Sequence, residues 1–212
     1  MCKKPFNKTI LYFFMHNILL VASHLFSGSD TLLKILNENK RIDLTENLLS
    51  YDHPSTLEHL FDNGHKLDNT SAIYGGQIIF NKDFSCKAFY SFTKFIYLIR
   101  PAKPTLWEIK TNKEEYSELT ACRYYCFRLR RIYEMARSTP GAILLTYDDL
   151  SSRKGLDLIQ EYLNLAQPLV SQKLLEPKEE DFSSFLMNTA QDCYEKYLYH
   201  LKQLDLKICT LQ

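Results

Sequence analysis

An unbroken apolar run that stops at a Ser- and Gly-rich turn and restarts as an amphipathic helix most restricts what this chain can fold into. The run is Asn17 to Ser23, the turn His24-Leu25-Phe26-Ser27-Gly28-Ser29, and the helix Asp30 to about Asn39. Leu32, Leu33, Ile35 and Leu36 recur at helical spacing. A strand apolar on both faces belongs inside a parallel sheet covered by helices. The turn after it aims backbone N–H groups and hydroxyls at one point, where the positive end of the helix dipole adds to them. That geometry suits a phosphate or sulfate group.

Two more segments read as buried strands. Lys94 to Arg100 is ended by Pro101 and Pro104, and Ala142 to Tyr147 follows Pro140-Gly141. Helices are expected over 113–138, over 153–165 behind a Ser151 or Ser152 cap, and over 179–204. The stretch 37–69 is polar and turn-rich, with a short helix expected over 55–61, and a short strand is expected within 73–80 after the Gly75-Gly76 break. Strands alternating with helices predict an α/β fold, three layers with a central parallel sheet. One domain over 1–212 is expected, with its core over 17–165 and a helical C-terminal part over 166–212.

Composition narrows the class further. Only 6 Gly in 212 residues argue against a many-turned all-β fold, and a net charge of +1 provides no field for nucleic acid or an anionic membrane. The 6 cysteines contain no CxxC pair and read as free thiols in a reducing compartment, with no metal site. Lys3, Lys4 and Lys8 precede an apolar run over 10–22 that resembles a signal or anchor segment. His16 and Asn17 interrupt it, and it is shorter than the ~20 residues a spanning helix needs. The expectation is a soluble, cytoplasmic protein without stable membrane insertion, a signal or anchor segment being the alternative.

In an open parallel sheet, ligands bind beyond the carboxyl ends of the strands. Three strand ends therefore matter together: Ser23–Thr31, Arg100–Thr105 and Tyr147–Leu150. Arg100 has two readings, a bidentate phosphate ligand or a salt bridge capping the sheet edge. On the long helix, Arg123, Arg130 and Arg131 fall near one face and Arg128 elsewhere. These read as a solvated face, with an acidic acceptor as the alternative; Tyr124, Tyr125, Phe127 and Tyr133 read as packing. No G-x-x-x-x-G-K-[ST] motif occurs, which disfavours a nucleotide kinase.

Taken in order, Val21 to Leu33, Phe95 to Pro104, and Leu144 to Leu150 with Gly155 to Leu165 resemble three segments of the sulfotransferase family. That family has a parallel-sheet, P-loop-like architecture and takes sulfate from 3′-phosphoadenosine-5′-phosphosulfate. The resemblance implies that Ser27, Gly28, Ser29, Asp30 and Thr31 bind the donor's 5′-phosphosulfate and that Arg100 binds its 3′-phosphate. The acceptor is a hydroxyl or amine on a small molecule, glycan or peptide. The reaction also asks for a base, and His24 is the first candidate, ahead of Glu38, His53, Glu58 and His59. Two positions depart from the family pattern. Phe26 stands where a Lys or Arg usually precedes the Ser-Gly pair, and Glu108 stands where a serine contacts the 3′-phosphate. Lys34 and Lys103 are the nearby cations that could replace the missing one. The departures motivate the alternative of a non-catalytic, sulfotransferase-like binding protein.

Overall fold

Every strand pairing among the described residues is parallel. In the computed structural model, β1 (Asn17–Ser23), β2 (Ile42–Thr45), β3 (Ile73–Ile78), β4 (Thr93–Ile99), β5 (Ile143–Thr146) and β6 (Lys207–Ile208) form one 6-stranded sheet in the order β2-β3-β1-β4-β5-β6. The structure describes residues 17–45, 73–78, 93–174 and 177–209. The helix expected over 55–61, the residues His53, Glu58 and His59, and the apolar run ahead of Asn17 lie outside the described residues.

The apolar strands work as expected of a sheet buried on both faces. Leu19 and Val21 of β1 pack with Ile96 and Leu98 of β4 against α1 (Ser29–Asn37) and α4 (Arg153–Leu163). Ile18, Leu20 and Ala22 face the other way, with Phe95, Tyr97 and Ile99, onto α2 (Ala102–Asn112), α3 (Glu118–Ala136) and α5 (Ser184–Lys202). The result is a three-layer α/β fold. Among the described residues no helix is long and apolar enough to cross a membrane.

Four local outcomes differ from the sequence expectations. The Gly75-Gly76 pair lies inside β3 rather than before it: a Cβ on Gly75 would sit 1.8 Å from the Leu19 carbonyl oxygen, so the bare backbone lets β1 and β3 approach. Helix α2 forms through a stretch whose two prolines look like terminators. Pro101 is its N-cap and Pro104 lies in its first turn, where an N–H would have no intrahelical acceptor and its absence costs no hydrogen bond. Helix α3 starts only at Glu118, where the Ser117 hydroxyl accepts the Thr120 N–H at 3.2 Å. Strand β2 lies in the stretch read as polar and turn-rich, and β6 in the C-terminal part read as helical; they are only 4 and 2 residues long.

The connections fix where a ligand can sit. From β1 the chain enters α1 on one face of the sheet, and from β4 it enters α2 on the other. The neighbours β1 and β4 thus send their connections to opposite faces, and the crevice beyond their carboxyl ends is the topological switch point.

Candidate functional site at the carboxyl edge

The β1–α1 turn is tight and left-handed twice. Phe26 has φ 56 and Gly28 has φ 92, and the turn closes through the Ser27 N–H donating to the His24 carbonyl at 3.2 Å. Gly28 is the N-cap of α1 and supplies no side-chain cap. The first-turn N–H groups of α1 accordingly have no intrahelical acceptor and end at the switch point. Asp30 is exposed in that first turn and Thr31 is partly buried. The hydroxyls, expected to face an anion, turn inward instead. Ser27 and Ser29 are buried; Ser27 Oγ donates to Ser29 Oγ at 3.5 Å, and Gln77 Nε2 of β3 donates to Ser29 Oγ and, at 3.3 Å, to Ser23 Oγ. What the turn offers an oxyanion is backbone N–H, not serine.

Arg100 sits at the turn itself. Its guanidinium is buried, with Nη1 donating to the Phe26 carbonyl at 3.0 Å and to Glu108 Oε1 at 2.7 Å. Its Cζ lies 3.8 Å from the centroid of the Tyr147 ring. The same ring packs on Gly28, where an added Cβ would lie 2.6 Å from Tyr147 Cδ2. Tyr147 follows β5 directly, in a 3₁₀ turn braced by Thr146 N–H and Oγ1 donating to Asp149 Oδ2 at 2.7 and 2.8 Å. All three strand ends singled out in the sequence therefore meet. The arginine and the turn are in direct contact rather than separated by the length of a nucleotide.

His24 is not placed to act as a base. Its Nε2 accepts the Arg100 backbone N–H at 3.0 Å, which leaves Nδ1 as the donor to the Leu25 carbonyl at 2.9 Å. Burial, with Arg128 and Arg100 nearby, pushes its pKa down to about 4. With both nitrogens engaged and protonation disfavoured, the ring stitches β1 to β4. Of the other candidates, Glu38 follows the far end of α1 and accepts from Gln172 at 3.1 Å. Lys103 turns outward to Glu179 at 3.8 Å and the Trp107 ring, and Lys34 is exposed.

Helix α3 supplies what sequence reasoning missed. Tyr124 Oη accepts the Leu25 N–H at 2.9 Å, Tyr125 Oη donates to the Arg100 carbonyl at 2.6 Å, and Tyr125 meets the His24 ring edge-on at 5.1 Å. Arg128 is buried, not solvated. Its Nε donates to the Ser23 carbonyl at 2.6 Å and its Nη2 to the Ile78 carbonyl at 2.5 Å, across the ends of β1 and β3. The signal was present: Arg128 falls within the stripe Cys122, Tyr125, Leu129, Ile132, the face that α3 buries. By contrast, Arg130 and Arg131 pair with Glu134 at 2.9 and 2.7 Å.

A cavity of about 310 Å³ lined by Thr93, Phe95, Thr139 and Tyr162 lies at the amino ends of β4 and β5, the opposite edge of the sheet. Among the described residues no His, Cys, Asp or Glu cluster could hold a metal ion, and Cys122, Cys126, Cys193 and Cys209 are free thiols. No protein-family model matches the chain, and no curated protein matches it either.

Proposed function

We propose that the β1/β4 crevice is the donor site of a sulfotransferase, with 3′-phosphoadenosine-5′-phosphosulfate as co-substrate and a hydroxyl or amine of a small molecule, glycan or peptide as acceptor. One observation carries the reading: at the switch point of an all-parallel sheet, a left-handed glycine opens a helix that has no side-chain cap. The Gly28–Thr31 N–H groups would receive the donor's phosphosulfate end. They would also stabilise charge on the leaving phosphate as the sulfuryl group passes in line to the acceptor oxygen or nitrogen.

A second reading, nucleotide binding without transfer, is favoured by the state of the charged groups. Phe26 brings no cation to the turn, Glu108 already neutralises Arg100, and His24 has no lone pair free for an acceptor proton. Titration with 3′-phosphoadenosine-5′-phosphate, by calorimetry or thermal shift, tests the site. Binding at micromolar concentration that is lost in a folded Gly28→Val variant supports it, and no binding removes both readings. Sulfate transfer to a panel of hydroxyl and amine acceptors then separates the two readings. Transfer gained only in Phe26→Lys would identify the natural protein as a binder.

A further inference from the structure

Among the described residues, buried charge at the carboxyl edge does not balance. Arg100 is answered by Glu108 and His24 is neutral, but among the described residues no carboxylate pairs with Arg128. Arg128 is 2% exposed, and its Nη1, shut off from solvent, has no hydrogen-bond partner among the described residues. A guanidinium taken out of water without a counter-charge is strongly disfavoured, and protein interiors usually answer it with a carboxylate. Clamping the Ser23 and Ile78 carbonyls asks only for donors, not for a net charge.

Resting on the reading of the turn as an oxyanion site, we infer that Arg128 is that site's fixed positive charge, supplying from behind β1 the field for a doubly charged sulfate or phosphate that Phe26 does not supply. The guanidinium is bonded to Ser23, the last residue of β1, immediately before the turn. It acts as a positioning residue. Its charge reaches the anion past the end of β1 that it holds, alongside the N–H groups of α1. Among the described residues, the charged and titratable groups around it are His24, Tyr97, Tyr124 and Arg131, none of them a carboxylate. His24 feels both guanidiniums, which makes its imidazole a built-in reporter.

Two substitutions separate charge from clamping. Arg128→Gln keeps a donor and removes the charge; Arg128→Lys keeps the charge with a poorer clamp. Inorganic sulfate and 3′-phosphoadenosine-5′-phosphate are titrated into each protein at low salt. The glutamine variant is expected to bind both at least about tenfold more weakly and the lysine variant within about threefold of wild type, tenfold being the scale of one unit charge about 12 Å away at an effective dielectric of about 20. Equal binding by Arg128→Gln and wild type, or equal loss in both variants, overturns the inference while the donor reading stands. Arg128-dependent sulfate binding with no preference for the 3′-phosphate nucleotide supports the inference and sinks the donor reading. If wild type binds neither ligand, both fall. Should the variants not fold, wild-type His24 still decides. Saturating sulfate is expected to move its NMR titration to higher pH by offsetting the push of the guanidinium, and an unmoved titration overturns the inference.

Discussion

Replacing Glu108 with glutamine should weaken the fold and strengthen the site at once. Arg100 and Glu108 meet at 2.7 Å, with side chains 2% and 24% exposed. Removing one partner of a buried ion pair costs about 3–5 kcal/mol because the other charge is left unanswered. Glu108 is partly wet, and Arg100 keeps the Phe26 carbonyl at 3.0 Å and the Tyr147 face, so the loss falls at or below the bottom of that range. The expected loss is about 2–3 kcal/mol, or roughly 5–10 °C in Tm for a chain of this length. The released charge touches the turn. At an effective dielectric of about 20 and a separation of about 7 Å, it is worth about 2 kcal/mol to a bound anion, more than tenfold in Kd. Urea unfolding reads the first effect, and calorimetry with 3′-phosphoadenosine-5′-phosphate at low salt reads the second. Wild-type stability in the variant would refute the buried-pair account. Lower stability with unchanged affinity would refute the placement of Arg100 beside the anion.

Other measurements test the surrounding architecture. His24 is neutral in the fold, with a pKa of about 4 against about 6.5 for the unfolded chain, so unfolding takes up a proton between those values. Its contribution is present above pH 6.5 and lost on acidification toward pH 4, about 3 kcal/mol in all. Stability should already fall between pH 6.5 and 5, before carboxylates titrate, and a His24 imidazole titrating near 6.5 would contradict the burial. Gly28→Ala combines a φ of 92 with overlap onto Tyr147 and should cost about 2–4 kcal/mol in denaturant unfolding; a loss below about 1 kcal/mol would mean the turn relaxes freely. Among the thiols packed between α3 and α5, burial pushes Cys122 up to about 11, whereas contact with Cys126 draws Cys193 down. A thiol reagent at pH 8 should label Cys193 before Cys122 in the folded protein, read by peptide mass mapping, and the reverse order would contradict that environment.

The central strands were legible because a strand covered on both faces must be apolar along its middle, and β1 is so over 18–22, β4 over 95–99 and β5 over 143–145. The three strand ends could be named from sequence, but the switch point could not, because it depends on the order β2-β3-β1-β4-β5-β6 that only the fold gives. Strands β2 and β6 were not legible because four and two residues carry no periodicity, and their pairing is settled by neighbours distant in sequence. Helix α2 was hidden by rules that treat proline as a stop. Those rules describe helix interiors and fail at the first turn.

The site itself was misread through sign and direction of charge rather than location. Glu108 reads in sequence as a carboxylate that would repel a phosphate, but in the fold it is the partner that draws Arg100 inward. His24 reads as an available base, yet burial, with two guanidiniums nearby, holds the ring neutral, and the Arg100 N–H occupies its lone pair. Arg128 stands apart from the other arginines in sequence but gets no role there, because its distinguishing property is membership of an apolar stripe, a pattern that charge counting discards. These three share one physical cause. At the carboxyl edge each charged group sees only a few neighbours through little water, so its nearest partner sets its role. If Glu108 and Arg128 hold opposite sides of one balance, their neutral variants should shift anion affinity in opposite directions. The Glu108→Gln/Arg128→Gln double variant should then return toward the wild-type value. Double-variant affinity equal to that of Arg128→Gln alone would show that the two charges act on different sites.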